Sequence, residues 1–325
     1  MALQPWRYMY EDEISGVRDP ITGTIGFISV MGTLGEHYSV TVYLGERALG
    51  QYLELSEIQE HVMYEMLLEI PMLMLSFEEM EFVEKEDRAI MKEIGITYSG
   101  KKLWPLFRSY RPGMVPWFLE EKEMESMVFY LEQFLETAID PKTEDRAIEM
   151  AFDRDNVYLI RELEGDPKNQ KWKTTLQKII IPAKQEVLYT IDPGILAKTK
   201  KIPVGKNVYE VDFFLTPAQI REKNKRPFFT YMLLVVDQKS ELIISHEMMN
   251  PTKGIENMLA TIPSILLNSF SESASLPRAV HSGSLRLAGL LSPLFRNLNI
   301  PLHYKPHLKS LEIAKSGIMD YFMRK

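Results

Sequence analysis

Residues 108–119 read Arg-Ser-Tyr-Arg-Pro-Gly-Met-Val-Pro-Trp-Phe-Leu and restrict the chain more than any other stretch. Pro112 and Pro116 each remove a backbone donor and fix φ, so neither a helix nor a central strand runs through them. Gly113 allows a turn between the two. Trp117 and Phe118 are too apolar for a solvated linker, so the stretch reads as an ordered joint. Charge also changes sign across it. Residues 1–150 hold 13 Lys+Arg against 28 Asp+Glu, and residues 151–325 hold 25 against 17, a net −15 followed by +8. The expectation is an acidic α+β domain over 1–104, a joint and long helix over 105–140, and a basic α/β domain over 141–325 with a subdivision near 226.

The chain has no cysteine, which excludes disulfides, thiolate catalysis and cysteine-ligated zinc. Residues 1–20 lack the basic start and long apolar core of a signal peptide. Apolar runs such as Met72–Leu75 and Tyr231–Val236 fall far short of the roughly 20 residues that span a bilayer. A cytoplasmic protein with no membrane partner is expected.

Local patterns divide the first half into short elements. Asp19-Pro20-Ile21-Thr22-Gly23 is a turn signal. Strands follow at 24–31 and 37–44. In the second, Tyr38, Val40, Val42 and Leu44 share one face, and Ser39, Thr41 and Tyr43 the other. A helix is predicted over 46–70 with a break near Ser56, a strand over 72–83 and a short helix over 85–94. Met63, Met66, Met72, Met74, Met80 and Met91 cluster here, and core filling outweighs a methionine-lined binding groove. The spacing of Met124, Met127, Val128, Leu131, Phe134, Leu135 and Ala138 predicts a helix over 120–139, ended by Asp140-Pro141.

The second half opens with a hairpin, 157–162 with 171–179, across Gly165-Asp166-Pro167. Asp192-Pro193 marks a helix cap, and 208–215 reads as a strand. Strands at 228–237 and 241–248 then precede a helix at 254–270, a strand at 278–281, a helix at 284–298, a strand at 300–304 and a helix at 308–322. The order hairpin, α, β, α, β, α implies a mixed sheet with parallel strands, distantly ribonuclease-H-like. The fold class expected is therefore α+β in two domains.

Trp6-Arg7-Tyr8-Met9-Tyr10, Asp19-Pro20-x-Thr22-Gly23, Val30-Met31-Gly32-x-x-Gly35-Glu36, Val42-Tyr43-x-Gly45 and the 108–118 stretch together resemble a bacterial family of paired domains of unknown function. The strand, helix, strand and closing helix over 276–322 resemble that family's second domain. The resemblance covers most of the chain. It implies the domain division and brings no activity, cofactor or catalytic residue.

Candidate sites are sparse. A ribonuclease-H-like nuclease needs several carboxylates converging on metal ions. Asp237 ends a long strand where one could stand, and Glu247 lies on its partner. The next strand ends in His281-Ser282-Gly283, and no Asp or Glu occurs between Glu272 and Glu312. Shared chemistry by Asp237 and His281 requires them within about 8 Å, on the same face of the sheet. Ser282, Gly283, Ser284 and Arg286 could bind an anion at a helix start, against the plainer reading that Ser284 caps the helix. His303 and His307 are four apart, but Pro306 intervenes and no metal site is expected. Basic residues over 198–206 and 221–226, next to Phe228, Phe229 and Tyr231, could contact nucleic acid, although strand aromatics are usually core. Arg108 and Arg111 pair more readily with the acidic half than with a ligand. With Trp117 and Phe118 they are expected between the domains.

The leading expectation is a non-enzymatic interaction or regulatory protein with a protein partner and no cofactor. A degenerate ribonuclease-H-like enzyme centred on Asp237 and His281 is the first alternative. A basic half that binds nucleic acid or another polyanion is the second.

Overall fold

A computed structural model describes residues 4–35, 37–55, 65–95, 103–138, 156–165, 169–184, 186–223 and 225–323. These residues form twelve strands, seven α-helices and two 3₁₀ turns in two mixed sheets. The chain divides into two units. The first comprises Met1–Arg111 and Pro116–Ala183, and the second Pro112–Val115 and Lys184–Lys325.

The first unit is built on strands β1 (Ser15–Arg18), β2 (Ile25–Met31), β3 (Tyr38–Leu44), β4 (Met72–Glu78), β5 (Trp104–Tyr110), β6 (Val157–Glu164) and β7 (Lys171–Lys178). Their order is β5-β4-β3-β2-β1-β6-β7, antiparallel except where β1 meets β6. The alternation in β3 sorts the core. Val40 and Val42 pack with Ile28, Val30 and Leu73 against Met127, Tyr130 and Phe134 of α3 (Glu121–Ala138). Tyr43 packs with Phe27, Ile25 and Met72 against Ala48, Leu49 and Leu55 of α1 (Glu46–Leu55). Gly26 marks the closest approach of α3, since a Cβ there would fall 2.5 Å from the Tyr130 ring. A third helix, α2 (Lys85–Glu93), also belongs to this unit.

Three expectations change here. Residues 104–110, expected from 105 onward in the joint, form β5 and pair along the whole of β4. Pro105 is tolerated because β5 is an edge strand. The 157–178 hairpin, expected in the basic domain, pairs with β1 and belongs to the first sheet. The strand expected over 72–83 ends at Glu78, and Met80–Phe82 turn as a 3₁₀ helix. The break near Ser56, Met63, the 166–167 turn and the Asp140-Pro141 stop lie outside the described residues. Met72 is fully buried, and Met66 and Met74 pack on the same core, so these methionines fill the interior.

The second unit carries β8 (Val208–Ile220), β9 (Phe228–Asp237), β10 (Ile243–Met249), β11 (Ala279–Ser282) and β12 (Leu302–Tyr304) in the order β10-β9-β8-β11-β12. The first three are antiparallel, and β11 runs parallel to both β8 and β12. The predicted cap is present: Asp192 Oδ1 accepts from Ile195 N at 2.9 Å to start α4 (Pro193–Thr199). Helices α5 (Ile255–Ser271) and α6 (Leu285–Leu298) meet through Phe270 and Phe295 beside Tyr209. On the other face, Phe214, Met232, Leu234 and Val236 pack with Leu308 and Leu311 at the start of α7 (Lys309–Met323). β8 is longer than the predicted 208–215, because an irregularity between Leu215 and Gln219 lets it continue past Pro217 to pair Ile220 with Phe228. Among the described residues, no helix is long and apolar enough to cross a membrane.

Candidate functional site

The polar residues of the second sheet sort by strand register. Asp237 on β9 stands opposite Tyr209, and Tyr209 stands opposite Val280. His281 stands opposite Glu210, one residue further along both strands. Successive residues of a strand point to opposite faces, so Asp237 and His281 lie on opposite sides of the sheet. Tyr209 packs toward Phe270 of α5, while Glu210 accepts from Leu311 N of α7 at 2.9 Å, which confirms the sidedness. The shared site expected of Asp237 and His281 is not formed. Sequence spacing could place Asp237 at a strand end but could not give its face relative to a strand forty residues away.

Asp237 is buried, and its Oδ1 accepts from Lys239 N, Ser240 N and Ser240 Oγ at 2.8–3.0 Å. It closes the turn from β9 toward β10. Glu210 is buried at 1% exposure, and its carboxylate receives a free N–H of the first turn of α7. Asp212, two residues on, lies beside Gly283 on the same face. Burial raises its pKa above the usual carboxylate range, and Lys315 and a backbone bond at Phe213 partly offset this. The Lys315 ammonium sits 4.3 Å over the Phe214 ring. Sequence reasoning passed over Glu210 and Asp212. The available signal was two acids at alternate positions inside the otherwise apolar run Val208–Leu215.

His281, His303 and Lys305 form the other end of this face. His281 and His303 are register partners with ring centroids 5.9 Å apart. His281 is 7% exposed, and its Nδ1 finds no hydrogen-bond partner among the described residues. Burial lowers its pKa, and Lys305, His303 and Arg278 lower it further. The positive charge near β11 and β12 is therefore that of Lys305 and Arg278. At the adjoining helix start, Ser284 Oγ accepts from Leu287 N at 3.3 Å, and Ser282 Oγ donates to Ser284 O at 3.1 Å. Ser284 thus caps α6, with Arg286 exposed in its first turn. His307 is turned to Glu312 at 3.7 Å and is 89% exposed. Among the described residues, no three His, Asp or Glu side chains converge as metal ligands.

Phe228, Phe229 and Tyr231 are buried, so they offer no stacking platform to bases beside the 221–226 basic stretch. A shallow groove of about 450 Å³ lies between residues 188–190 and α5, lined by Tyr189, Thr190, Thr261 and Ser264. The Tyr189 hydroxyl there donates to Leu290 O.

In the first unit, Arg108 makes a two-pronged pair with Asp87 at 2.9 and 2.7 Å and stacks 4.7 Å over Phe118. Arg111 pairs with Glu120 and Glu123 at 2.7 and 2.8 Å. Glu123 also accepts from Ser109 Oγ and from Glu120 N at the start of α3. Ser109 and Trp117 exchange backbone bonds in both directions, and the Trp117 ring meets Phe118 edge-on at 5.3 Å. The two arginines thus pair with carboxylates of their own unit. Buried Tyr43 stacks on half-buried Tyr52 at 4.4 Å, and burial pushes the Tyr52 pKa up to about 12.

Comparison with known proteins finds two family matches, and neither curated proteins nor solved structures give a significant match. Residues 1–161 match the domain of unknown function DUF7309, and residues 195–319 match the domain of unknown function DUF6930. The chain is therefore a member of the paired type, a DUF7309 domain followed by a DUF6930 domain.

Proposed function

We propose that this protein is a non-enzymatic interaction protein. The observation that carries the reading is the separation of Asp237 and His281 onto opposite faces of one sheet. Two acids of that sheet are also engaged in holding it together: Asp237 closes a turn and Glu210 receives the first turn of α7. The strand order β10-β9-β8-β11-β12 supports a ribonuclease-H-like topology used as a scaffold. The test is incubation of the purified chain with single- and double-stranded nucleic acids and phosphate esters, with magnesium or manganese. No turnover above background is expected. Hydrolysis that His281→Gln or Asp237→Asn abolishes would overturn the reading.

The anionic character of a partner follows from the rim of the second sheet. Lys305 and Arg278 supply positive charge near His281 beside the Ser282–Ser284 turn, and Nδ1 of His281 is buried without a partner among the described residues. A polyanion such as single-stranded nucleic acid fits such a rim through phosphate contacts. Fluorescence anisotropy with a labelled oligonucleotide checks this. Binding is expected to weaken steeply with salt and with Lys305→Glu, and undetectable binding at low salt contradicts it.

A further inference from the structure

Residues 184–325 hold 19 Lys+Arg against 12 Asp+Glu, and two of those acids, Glu210 and Asp237, are buried. The surplus concentrates at one end of the second sheet. Lys206 lies just before β8, Arg278 directly before β11, and Lys239 just after β9. Arg278 N donates to Asn207 O at 2.8 Å and Gln238 N to Val208 O at 2.9 Å, so the three segments run side by side. Neighbouring strands lie about 4.8 Å apart, which spreads these three cations along a line of about 10 Å. The chain entering β8 is also tied to Leu276: Leu276 N donates to Pro203 O at 2.9 Å, and Gly205 N to Leu276 O at 2.8 Å. That tie brings Lys198, Lys200 and Lys201, at the end of α4, to the same end of the sheet. All six cations are exposed, and among the described residues none has an ion-pair partner. The exposed acids nearest in the chain are Glu241 and Glu272, while Asp192 caps the opposite end of α4. A helix C-terminus favours cations, but Lys206, Lys239 and Arg278 lie outside the last turn of α4.

We propose that this end of the second sheet binds the phosphate backbone of a nucleic-acid duplex without reading its sequence. A row of unpaired cations matches a row of phosphates, and each contact releases counterions from the duplex. A lone phosphate or carboxylate would occupy only part of the row. The row offers no platform for base stacking, which favours a duplex over a single strand. The exposed large aromatic side chains of the second unit are Tyr304, in register with Ser282, and Tyr321, near the end of α7. Exposed apolar side chains here do not form a patch. Leu242 lies on the β10 side of β9, and Val204 lies against Leu276 on the β11 side of β8. An apolar anchor of the kind that holds protein interfaces, or that adds the second signal a basic patch needs for stable membrane attachment, is therefore not built there. The inference goes beyond the polyanion reading above: it takes a duplex in place of a single strand, and it does not use Lys305.

The experiment measures fluorescence anisotropy of a labelled, mixed-sequence DNA duplex with the full chain at about 50 mM and about 200 mM salt. The wild type is expected to bind at the lower salt and to lose at least about tenfold in affinity at the higher. Lys200→Ala, Lys201→Ala and Lys206→Ala together should weaken duplex binding at least about tenfold and make the salt slope shallower by about 3. These side chains are exposed, so the circular-dichroism spectrum and Tm should not change. Lys223→Ala, Lys225→Ala and Lys253→Ala together remove the same charge elsewhere in the unit and should weaken binding far less. Undetectable duplex binding at the lower salt overturns the proposal, as does an equal loss in the two triple variants. A loss in the first triple variant that is confined to a single strand also overturns it. So does co-sedimentation with phosphatidylserine vesicles in the absence of duplex binding. Lys305→Glu separates the two readings: weakening by that substitution alone leaves the polyanion reading standing and removes this one.

Discussion

Asp237 and His281 occupy opposite faces of the second sheet, although they lie only two strands apart. Asp237 shares its face with Tyr209, and His281 shares the other with Glu210. Separate consequences follow for each face, because α5 and α6 cover one and α7 covers part of the other.

Glu210 holds the start of α7. Its carboxylate is buried and accepts from Leu311 N, so its removal leaves a buried N–H without a partner. Glu210→Ala is expected to cost about 1–3 kcal/mol. Amide exchange should rise most in the first turn of α7. Glu210→Gln keeps an acceptor and should lose less. Equal loss in both variants would mean that the charge, and not the hydrogen bond, secures the helix.

Asp212 works against stability at neutral pH. Burial raises its folded-state pKa, with Lys315 partly opposing. The unfolded chain therefore releases this proton at lower pH than the folded chain does. The contribution of Asp212 is most favourable below the unfolded pKa and is lost as pH rises through the folded one. Asp212→Asn should raise the Tm at pH 7, and the gain should vanish near the acid end of a pH series. A lower Tm at pH 7 would show that attraction to Lys315 exceeds the cost of burial.

The two arginines of the 108–119 stretch should behave differently. Arg108 and Asp87 are 16% and 6% exposed, and Arg108→Ala strands the Asp87 carboxylate. A loss of about 3–5 kcal/mol is expected, with much of it recovered when Asp87→Ala is added. Arg111 and Glu120 are 40% and 58% exposed, so that pair contributes about 0–1 kcal/mol to Arg111→Ala. The Arg111 pair with Glu123 is less exposed and adds to this loss. Urea unfolding of the single and double variants checks the order. Equal losses for Arg108→Ala and Arg111→Ala would contradict it.

Gly113 should not tolerate alanine. Its φ is +77°, and a Cβ would fall 2.4 Å from the Pro251 ring. Its carbonyl accepts from Phe229 N, so a shift here also strains the entry to β9. Gly113→Ala should lower the Tm by several degrees. Gly23→Ala, at a similar φ but with open space around it, should cost less.

The sequence made much of this fold legible because alternation is a local signal. The β2–β3 hairpin, the helix over 121–138 and the order of the last five elements follow from side-chain period and caps. β5 was hidden because Pro105 and the later prolines make 104–119 look irregular, and only pairing with β4 reveals a strand. The placement of β6 and β7 was hidden for a related reason. A hairpin is a local pattern, but which sheet it joins depends on β1, about 140 residues earlier. Arg108 and Arg111 were legible as partners for acids, while their particular acids, Asp87 and Glu123, were set by the fold. The grouping of His281, His303 and Lys305 was not legible, since it depends on the register of β11 with β12.

The account rests on the polar groups of the second sheet being structural. Asp237→Asn, Asp237→Ala and His281→Gln, compared for stability and for hydrolysis of nucleic acid and phosphate esters, test it most directly. Asp237→Asn keeps the Oδ1 acceptor and should unfold near the wild type, while Asp237→Ala should lose about 1–3 kcal/mol, with no hydrolysis in any of them. Metal-dependent hydrolysis by the wild type that disappears in Asp237→Asn and His281→Gln, with stability unchanged, would contradict the account.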